Sequence, residues 1–340
     1  MQHAIAQLLE GEDLSREEAR RVMDTIMSGR ATAAQIAAFL VALRLKGETA
    51  DEITGCAEAM RAHVLTVHPE RTDLVDVVGT GGDGANTFNI STTSAIVAAA
   101  AGAAVAKHGN RAASSASGSA DVLEALGFRL DLTPEQIAQS IDELGFGFMF
   151  AQAHHPAMKH AAPVRRELGT RTVFNVLGPL TNPAGARAGI FGVATAGLMR
   201  TYADALVQLG TRRAYVVHGF GGIDELSPAG PNEVCEVIDG EIHERTIDPR
   251  ELGLEPCSPD ELTGGTPAEN AAIVHAIFAG EETGGKLQAV LLNAGGAIAA
   301  AGHADGLAEG IDAARDAIGS GAAAARLEQL VSFSREQVSE

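Results

Sequence analysis

The spacing of apolar residues changes character once along this chain. Through residues 1–67 apolar positions recur every three or four residues, the period of helices with one buried face. Ser15 with Glu18 makes a capping-box pattern ahead of one such run, and Thr32 with Gln35 and Thr49 with Glu52 repeat it. Gly47 ends the middle helix, whose apolar face is read as Ile36, Phe39, Leu40, Leu43 and Leu45. Residues 1–67 are too few to bury all these faces among themselves, so a second copy packed on them is expected.

From Asp73 onward the pattern is α/β. LVDVVG is a short β-branched run ending in Gly, and AAVAKHG, GFMFA (147–151), GIFGVA (189–194) and RAYVVHG (213–219) are further strand candidates. Helices are expected from about Ser91 to Ala101, from Ser119 to Leu126, and from Thr133, where Pro134 takes the first helical position. Strand–helix alternation implies a mostly parallel sheet covered on both faces. Residues 233–246 alternate and predict a hairpin with Asp239-Gly240 at the turn. Residues 156–180, rich in Pro and polar turns, interrupt the rhythm, and Pro267 to Val338 is Ala-rich and helical. The fold class is therefore α/β: a small all-helical domain (1–67, with part of 156–180 returning to it) and a larger α/β domain (70–155 and 181–340).

Composition narrows the function. The chain has 340 residues, 46% of them hydrophobic, and a net charge of −19. That charge argues against nucleic-acid binding, which rests on neutralising phosphates. Trp is absent and Tyr occurs twice, so bases have few stacking partners. Cys56, Cys235 and Cys257 are odd in number, widely spaced and away from any His cluster, so they suggest neither disulfides nor zinc. The first twenty residues are amphipathic and acidic, unlike a basic leader, and the longest apolar run, 95–106, contains a Gly and is too short to span a bilayer. A cytoplasmic protein without a membrane partner is expected.

Against that acidic background, Val77 to Gly127 gathers two loops rich in Gly, Ser and Asn, and places Lys107, His108, Asn110 and Arg111 on the second. Gly79, Gly81 and Gly84 match G-x-G-x-x-G, yet the ribose-binding acid expected about twenty residues on is missing. Alone this loop is no more than a tight turn, Lys107 a solvated lysine, and His108 a packed imidazole as readily as a reactive one. Two donor-rich loops on one rim of a parallel sheet, however, suit two phosphate groups. GGIDELS (221–227) belongs on the same rim. There Asp224 and Glu225 become candidate Mg2+ ligands, with Ser91 as a further oxygen. PVRRELGTR (163–171) brings Arg165, Arg166 and Arg171, of which one suits a ligand carboxylate and at least one a surface ion pair.

Taken in order, GTGGD, NIST, KHGNR, SGSADVLEALG, RRELGTRTVFNVLGPLTNP and GxDE resemble the anthranilate phosphoribosyltransferase family of tryptophan biosynthesis over nearly the whole chain. The resemblance implies a fold shared with pyrimidine nucleoside phosphorylases and a homodimer through the helical domains. It implies Mg2+, with two ions, and transfer of phosphoribosyl from 5-phosphoribosyl diphosphate to anthranilate, releasing diphosphate. It places Gly79, Gly82, Asp83, Thr87, Asn89, Ile90, Ser91, Thr92, Lys107, His108, Gly109, Asn110, Arg111, Ala112, Ala113, Ser114, Ser115 and Ser119 around phosphoribosyl diphosphate. Gly79, Asn110 and Arg165 would meet anthranilate, and Ser91, Asp224 and Glu225 the metal. Lys107, His108, Asp224 and Glu225 are the implied catalytic residues. Ala116 departs from the family pattern, which carries Lys there in many members. A nucleoside phosphorylase of the same fold is the rival enzyme, although it would not need the Asp-Glu pair.

Overall fold

The computed structural model describes residues 1–112 and 116–337. Four helices come first: α1 (Gln2–Leu9), α2 (Arg16–Met27), α3 (Ala33–Lys46) and α4 (Ala50–Arg61). The capping boxes at Ser15, Thr32 and Thr49 are formed as expected: each hydroxyl accepts from the third helical N–H, and that residue's side chain returns to the cap. The expected α3 face needs one correction. Ile36, Phe39, Leu40 and Leu43 are buried, but Leu45 is 80% exposed. Nine residues after Ile36 it stands about 180° round the helix, at 100° per residue.

Then come β1 (Leu74–Gly79), α5 (Ile90–Ala100), β2 (Ala104–Gly109), α6 (Ser119–Ala125), α7 (Pro134–Leu144) and β3 (Phe146–Phe150). Residues 151–181 form short helical turns, among them α8 (Ala151–His154), α9 (Ala162–Leu168) and α10 (Val173–Leu177). The pattern resumes with β4 (Ala188–Gly192), α11 (Met199–Gln208) and β5 (Arg213–His218), and the antiparallel hairpin β6 (Asn232–Ile238) and β7 (Glu241–Ile247) closes the sheet. Its turn residues Asp239 and Gly240 both have positive φ, 47° and 91°, as a two-residue hairpin turn demands. Four helices end the chain: α12 (Pro267–Phe278), α13 (Gly285–Ala301), α14 (Leu307–Gly319) and α15 (Ala322–Glu336).

The sheet order is β3-β2-β1-β4-β5-β6-β7, parallel from β3 to β5. Alternate side chains of its strands feed two cores. Ile190, Tyr215 and Val217 pack with α5 and α12 to α15, whereas Phe191, Val216 and Cys235 pack with α11 and the N-terminal helices. The second core also takes in Ala161, Val164, Val173 and Leu177, and α9 packs on α3 while α10 packs on α4. Parallel strands carry their C-terminal ends to one edge, and the loops after β1, β2 and β5 therefore share a rim.

Candidate active site

The sheet opens where the site begins. β2 and β3 are paired over five positions, but β1 and β2 are paired only at Leu74↔Ala104 and Val75↔Val105. Beyond them the fully buried Asp76 carboxylate takes the place of the ladder. Its Oδ1 accepts from the N–H groups of Val77 (2.8 Å) and His108 (3.2 Å), and its Oδ2 from Asn182 Nδ2 (2.7 Å). Asn182 Nδ2 also reaches the Ala106 carbonyl (2.8 Å), and Lys107 Nζ donates to the Val77 carbonyl (2.6 Å). Burial pushes the Asp76 carboxyl up to about 6 against the pull of Lys107, and lowers Lys107 to about 8 against Asp76 and Glu225. Lys107 and His108 thus lie on strand β2, within the AAVAKHG run read as a strand, and are buried rather than carried on the loop that follows it. The signal was in the sequence: AVAKHG keeps an apolar strand pattern up to the lysine.

Beyond β1, Gly81, Gly82 and Gly84 all take positive φ, which an L side chain rarely adopts. The Gly81 N–H donates to Asp224 Oδ2 at 2.6 Å. A Cβ on Gly79 would fall 2.2 Å from that same oxygen, so only glycine lets the acidic segment lie across the strand end. Asp83 Oδ1 accepts from Ala85 N and its Oδ2 from Asp224 N. Asp83, Asp224 and Glu225 thereby bring carboxylate oxygens within 4.8 Å of one another. Glu225 Oε2 is enclosed yet has no hydrogen-bond partner among the described residues. Burial first, then the neighbouring carboxylates, drive both the Asp224 and Glu225 carboxyls upward. An orphaned carboxylate oxygen and two acids repelling each other fit a divalent cation, which would relieve both costs. Asp83, expected only beside phosphoribosyl diphosphate, joins this cluster through the turn of the glycine loop. Ser91 stands in the first turn of α5.

Asn89, just before α5, ties the loops together. Its Oδ1 accepts from Ser117 Oγ (3.1 Å) and Asn270 Nδ2 (2.8 Å), and its Nδ2 donates to the Ser117 carbonyl (3.1 Å). Thr87 bridges to Thr263; Ile90 and Thr92 are buried at the start of α5. Ser119 Oγ donates to the Asn110 carbonyl across Gly109 (3.1 Å), and Ala112 N donates to Asp121. Arg111, expected as a phosphate cation, pairs instead with Asp121 and Glu124 and lies over Phe150, its guanidinium carbon 5.6 Å from the ring centroid. The acids of SADVLEA supplied that partner pair. Ala113, Ser114 and Ser115 lie outside the described residues.

His108 has a neighbour that sequence reasoning missed. Its Nε2 lies 3.2 Å from Nε2 of His155, which is also buried. Between two neutral imidazoles one Nε2 donates and the other accepts. Burial holds His155 down to about 4 and His108 well below the ordinary imidazole range, so both rings are neutral at pH 7. Nothing in the spacing of HGN and HHP announced the pairing. Arg165 is half-buried, 5.1 Å from the Phe174 ring centroid, and has no carboxylate partner among the described residues; burial lowers its pKa. Arg166 points to solvent.

The comparisons decide the family. The helical bundle domain of a glycosyl transferase family matches residues 2–64 and that family's a/b domain matches residues 71–324. The anthranilate phosphoribosyltransferase of Symbiobacterium thermophilum is 49% identical over 333 residues, 98% of this chain and 97% of its own. This chain belongs to the anthranilate phosphoribosyltransferases. It is a glycosyltransferase of tryptophan biosynthesis that moves a phosphoribosyl group onto anthranilate. Its structure is similar to that of the Thermus thermophilus enzyme (TM-score 0.93, 49% identity, 98% of this chain and 99% of that one). It is also similar to the Saccharomyces cerevisiae enzyme in complex with phosphoribosyl diphosphate and Mg (TM-score 0.90, 29% identity, 98% and 97%).

Proposed function

We propose that the rim built by the loops after β1, β2 and β5 binds phosphoribosyl diphosphate with Mg2+ and presents its anomeric carbon to the anthranilate amine. The observation that carries this reading is the meeting of the glycine loop with the carboxylate trio, through Gly81 N–H and Asp224 Oδ2. Asp83, Asp224 and Glu225, with Ser91, would hold two Mg2+ ions. Bound there, Mg2+ supplies positive charge to a departing diphosphate. The Saccharomyces cerevisiae relative holds both phosphoribosyl diphosphate and Mg.

The reaction breaks the bond between the anomeric carbon and the diphosphate oxygen, leaving an oxocarbenium-like sugar, and the amine lone pair forms the new C–N bond. The amine then loses one proton. An aryl amine is already neutral at pH 7, so attack needs positioning more than a base. Gly79, Gly82, Thr87, Asn89, Ile90, Thr92, Gly109, Ala112 and Ser119 line the two loops and strand ends that grip the diphosphate and sugar. Lys107, buried beneath Glu225, acts as a fixed positive charge under the site. The Arg165 fork takes the anthranilate carboxylate, with Gly79 and Asn110 beside the ring. The neutral His108–His155 pair offers a route for the released proton.

The enzyme works as a cytoplasmic homodimer. Leu9 (68% exposed) and Leu45 (80%) on the N-terminal helices support a shared apolar face. Among the described residues, no helix is long and apolar enough to cross a membrane. The test of activity is loss of anthranilate fluorescence on adding phosphoribosyl diphosphate and Mg2+. Phosphorolysis of thymidine, with anthranilate left unchanged, would overturn the reading.

A further inference from the structure

Arg171 is the arginine of PVRRELGTR that reaches into the glycine loop. Its Nη1 donates to the Gly81 carbonyl at 2.5 Å, and its Nη2 lies 3.5 Å from Thr80 Oγ1. A Cβ on Gly82 would fall 2.1 Å from the same Nη1, so the loop and the guanidinium are fitted to each other. From the other side Arg44, an exposed residue of α3, donates from Nη1 to the Arg171 backbone carbonyl at 2.5 Å. Among the described residues neither guanidinium has a carboxylate partner.

The peptide joining Gly81 to Gly82 is planar and trans. With its C=O turned to Arg171, its N–H faces away from Arg171. The preceding N–H, that of Gly81, already points at Asp224 Oδ2. Both glycines have positive φ, so nothing in their own side chains fixes these planes. With the Gly81 N–H held by Asp224, the Gly82 N–H is the donor this peptide can turn toward an anion.

We infer that Arg171 is a positioning residue for phosphoribosyl diphosphate: it pins the Gly81 carbonyl so that the N–H of Gly82, on the same peptide, faces the anion, and Arg44 steadies it from the N-terminal helices. This rests on the reading of the glycine loop as the diphosphate site. Arg171 contacts the Gly81 carbonyl and the Thr80 hydroxyl, so its loss loosens the loop without removing any group assigned to anthranilate or to Mg2+. The anchor also joins the N-terminal helices to the diphosphate grip. Helix α3 packs on α9, the helix that carries Arg165, so both substrates' arginines lean on one helix.

The test is steady-state kinetics of Arg171→Ala, Arg171→Lys, Arg44→Ala and the Arg44→Ala/Arg171→Ala pair, with melting temperature as the check on folding. Arg171→Ala should raise KM for phosphoribosyl diphosphate about tenfold, with kcat and the anthranilate KM within about twofold. Arg171→Lys should recover part of the loss. Arg44→Ala should raise the same KM about threefold, and adding it to Arg171→Ala should raise it no further, because Arg44 acts through Arg171. An unchanged KM in Arg171→Ala, or an equal rise in both substrates' KM, overturns the inference. If Arg171→Ala does not fold, the exposed Arg44→Ala decides by the same split. Asp83→Asn, measured alongside, separates the two levels. A large defect toward phosphoribosyl diphosphate there, with silent arginine variants, sinks the positioning role alone. A silent Asp83→Asn overturns the loop assignment and the inference with it.

Discussion

Glu52 and Glu225 are both enclosed, in the N-terminal helices and on the sheet rim, and they are held in opposite ways. Glu52 is fully buried, and its two oxygens accept from Leu14 N (2.9 Å), Thr49 N (2.8 Å), Thr49 Oγ1 (3.1 Å) and Lys46 Nζ (3.0 Å). Glu225 has an enclosed Oε2 with no hydrogen-bond partner among the described residues, beside two further acids. The first carboxylate is satisfied by its own domain and closes a structural contact. The second is left costly by the fold, and such cost persists where a ligand relieves it.

The contrast breaks most readily by mutation. Replacing Asp224 and Glu225 together with Ala should remove most turnover, a loss of about a thousandfold or more, as expected when charge stabilisation of a leaving group is taken away. The melting temperature should hold or rise, because two mutually repelling acids are gone. Replacing Glu52 with Ala should do the reverse. It takes the acceptor from the Leu14 and Thr49 N–H groups and one of two carboxylate partners from Lys46, which keeps Asp13 at 2.6 Å. The cost should be about 1–3 kcal/mol of stability, with kcat of the folded fraction unchanged. Urea unfolding and initial rates on both variants check the pair. A Glu52 variant with normal stability would erase the distinction.

Arg165 sharpens the comparison within one helix turn. Arg165→Ala should raise the anthranilate KM by about tenfold to a hundredfold, since a charge-assisted hydrogen bond is worth about 1.5–3 kcal/mol. The exposed Arg166→Ala should change neither KM. An anthranilate defect in Arg166→Ala with none in Arg165→Ala would reverse the assignment.

Much of this was legible because it was local. The caps at Ser15, Thr32 and Thr49 need only the next three residues, and Pro134 marked its helix start by itself. Strand β1 showed as a β-branched run ending in Gly, and the hairpin turn showed as Asp239-Gly240. What escaped the sequence was pairing at a distance. Asp76 meets Asn182 across 106 positions and His108 meets His155 across 47, contacts that only the sheet order creates. The Arg111 ion pairs escaped for a related reason: Asp121 and Glu124 lie one helix away. Leu45 was misread by taking one apolar residue too many onto a face.

The histidine pair gives a smaller effect with a definite sign. His155 has a folded pKa of about 4, below its ordinary 6.5. The unfolded chain therefore binds its proton first, and the stability His155 contributes falls as pH drops from about 6.5 toward 4. Asp76 shifts the other way, so the wild type must be compared with His155→Gln. Between pH 7 and pH 4 the wild type should lose about 2–3 kcal/mol relative to that variant. Equal pH dependence of the two would mean that His155 is not held neutral. The smallest expected change concerns assembly. Leu45→Lys removes an exposed apolar side chain and should shift a dimer toward monomer in sedimentation without altering the melting of the fold.

The measurement that bears most directly on the Glu225 contrast is Mg2+ dependence of anthranilate fluorescence loss at saturating phosphoribosyl diphosphate. It is run on the wild type, Glu225→Gln and Glu52→Gln. Wild type and Glu52→Gln should saturate at the same Mg2+ concentration, and Glu225→Gln should need at least about tenfold more or fail to saturate. A Glu225→Gln enzyme that reaches full rate on the wild-type Mg2+ curve would contradict the account.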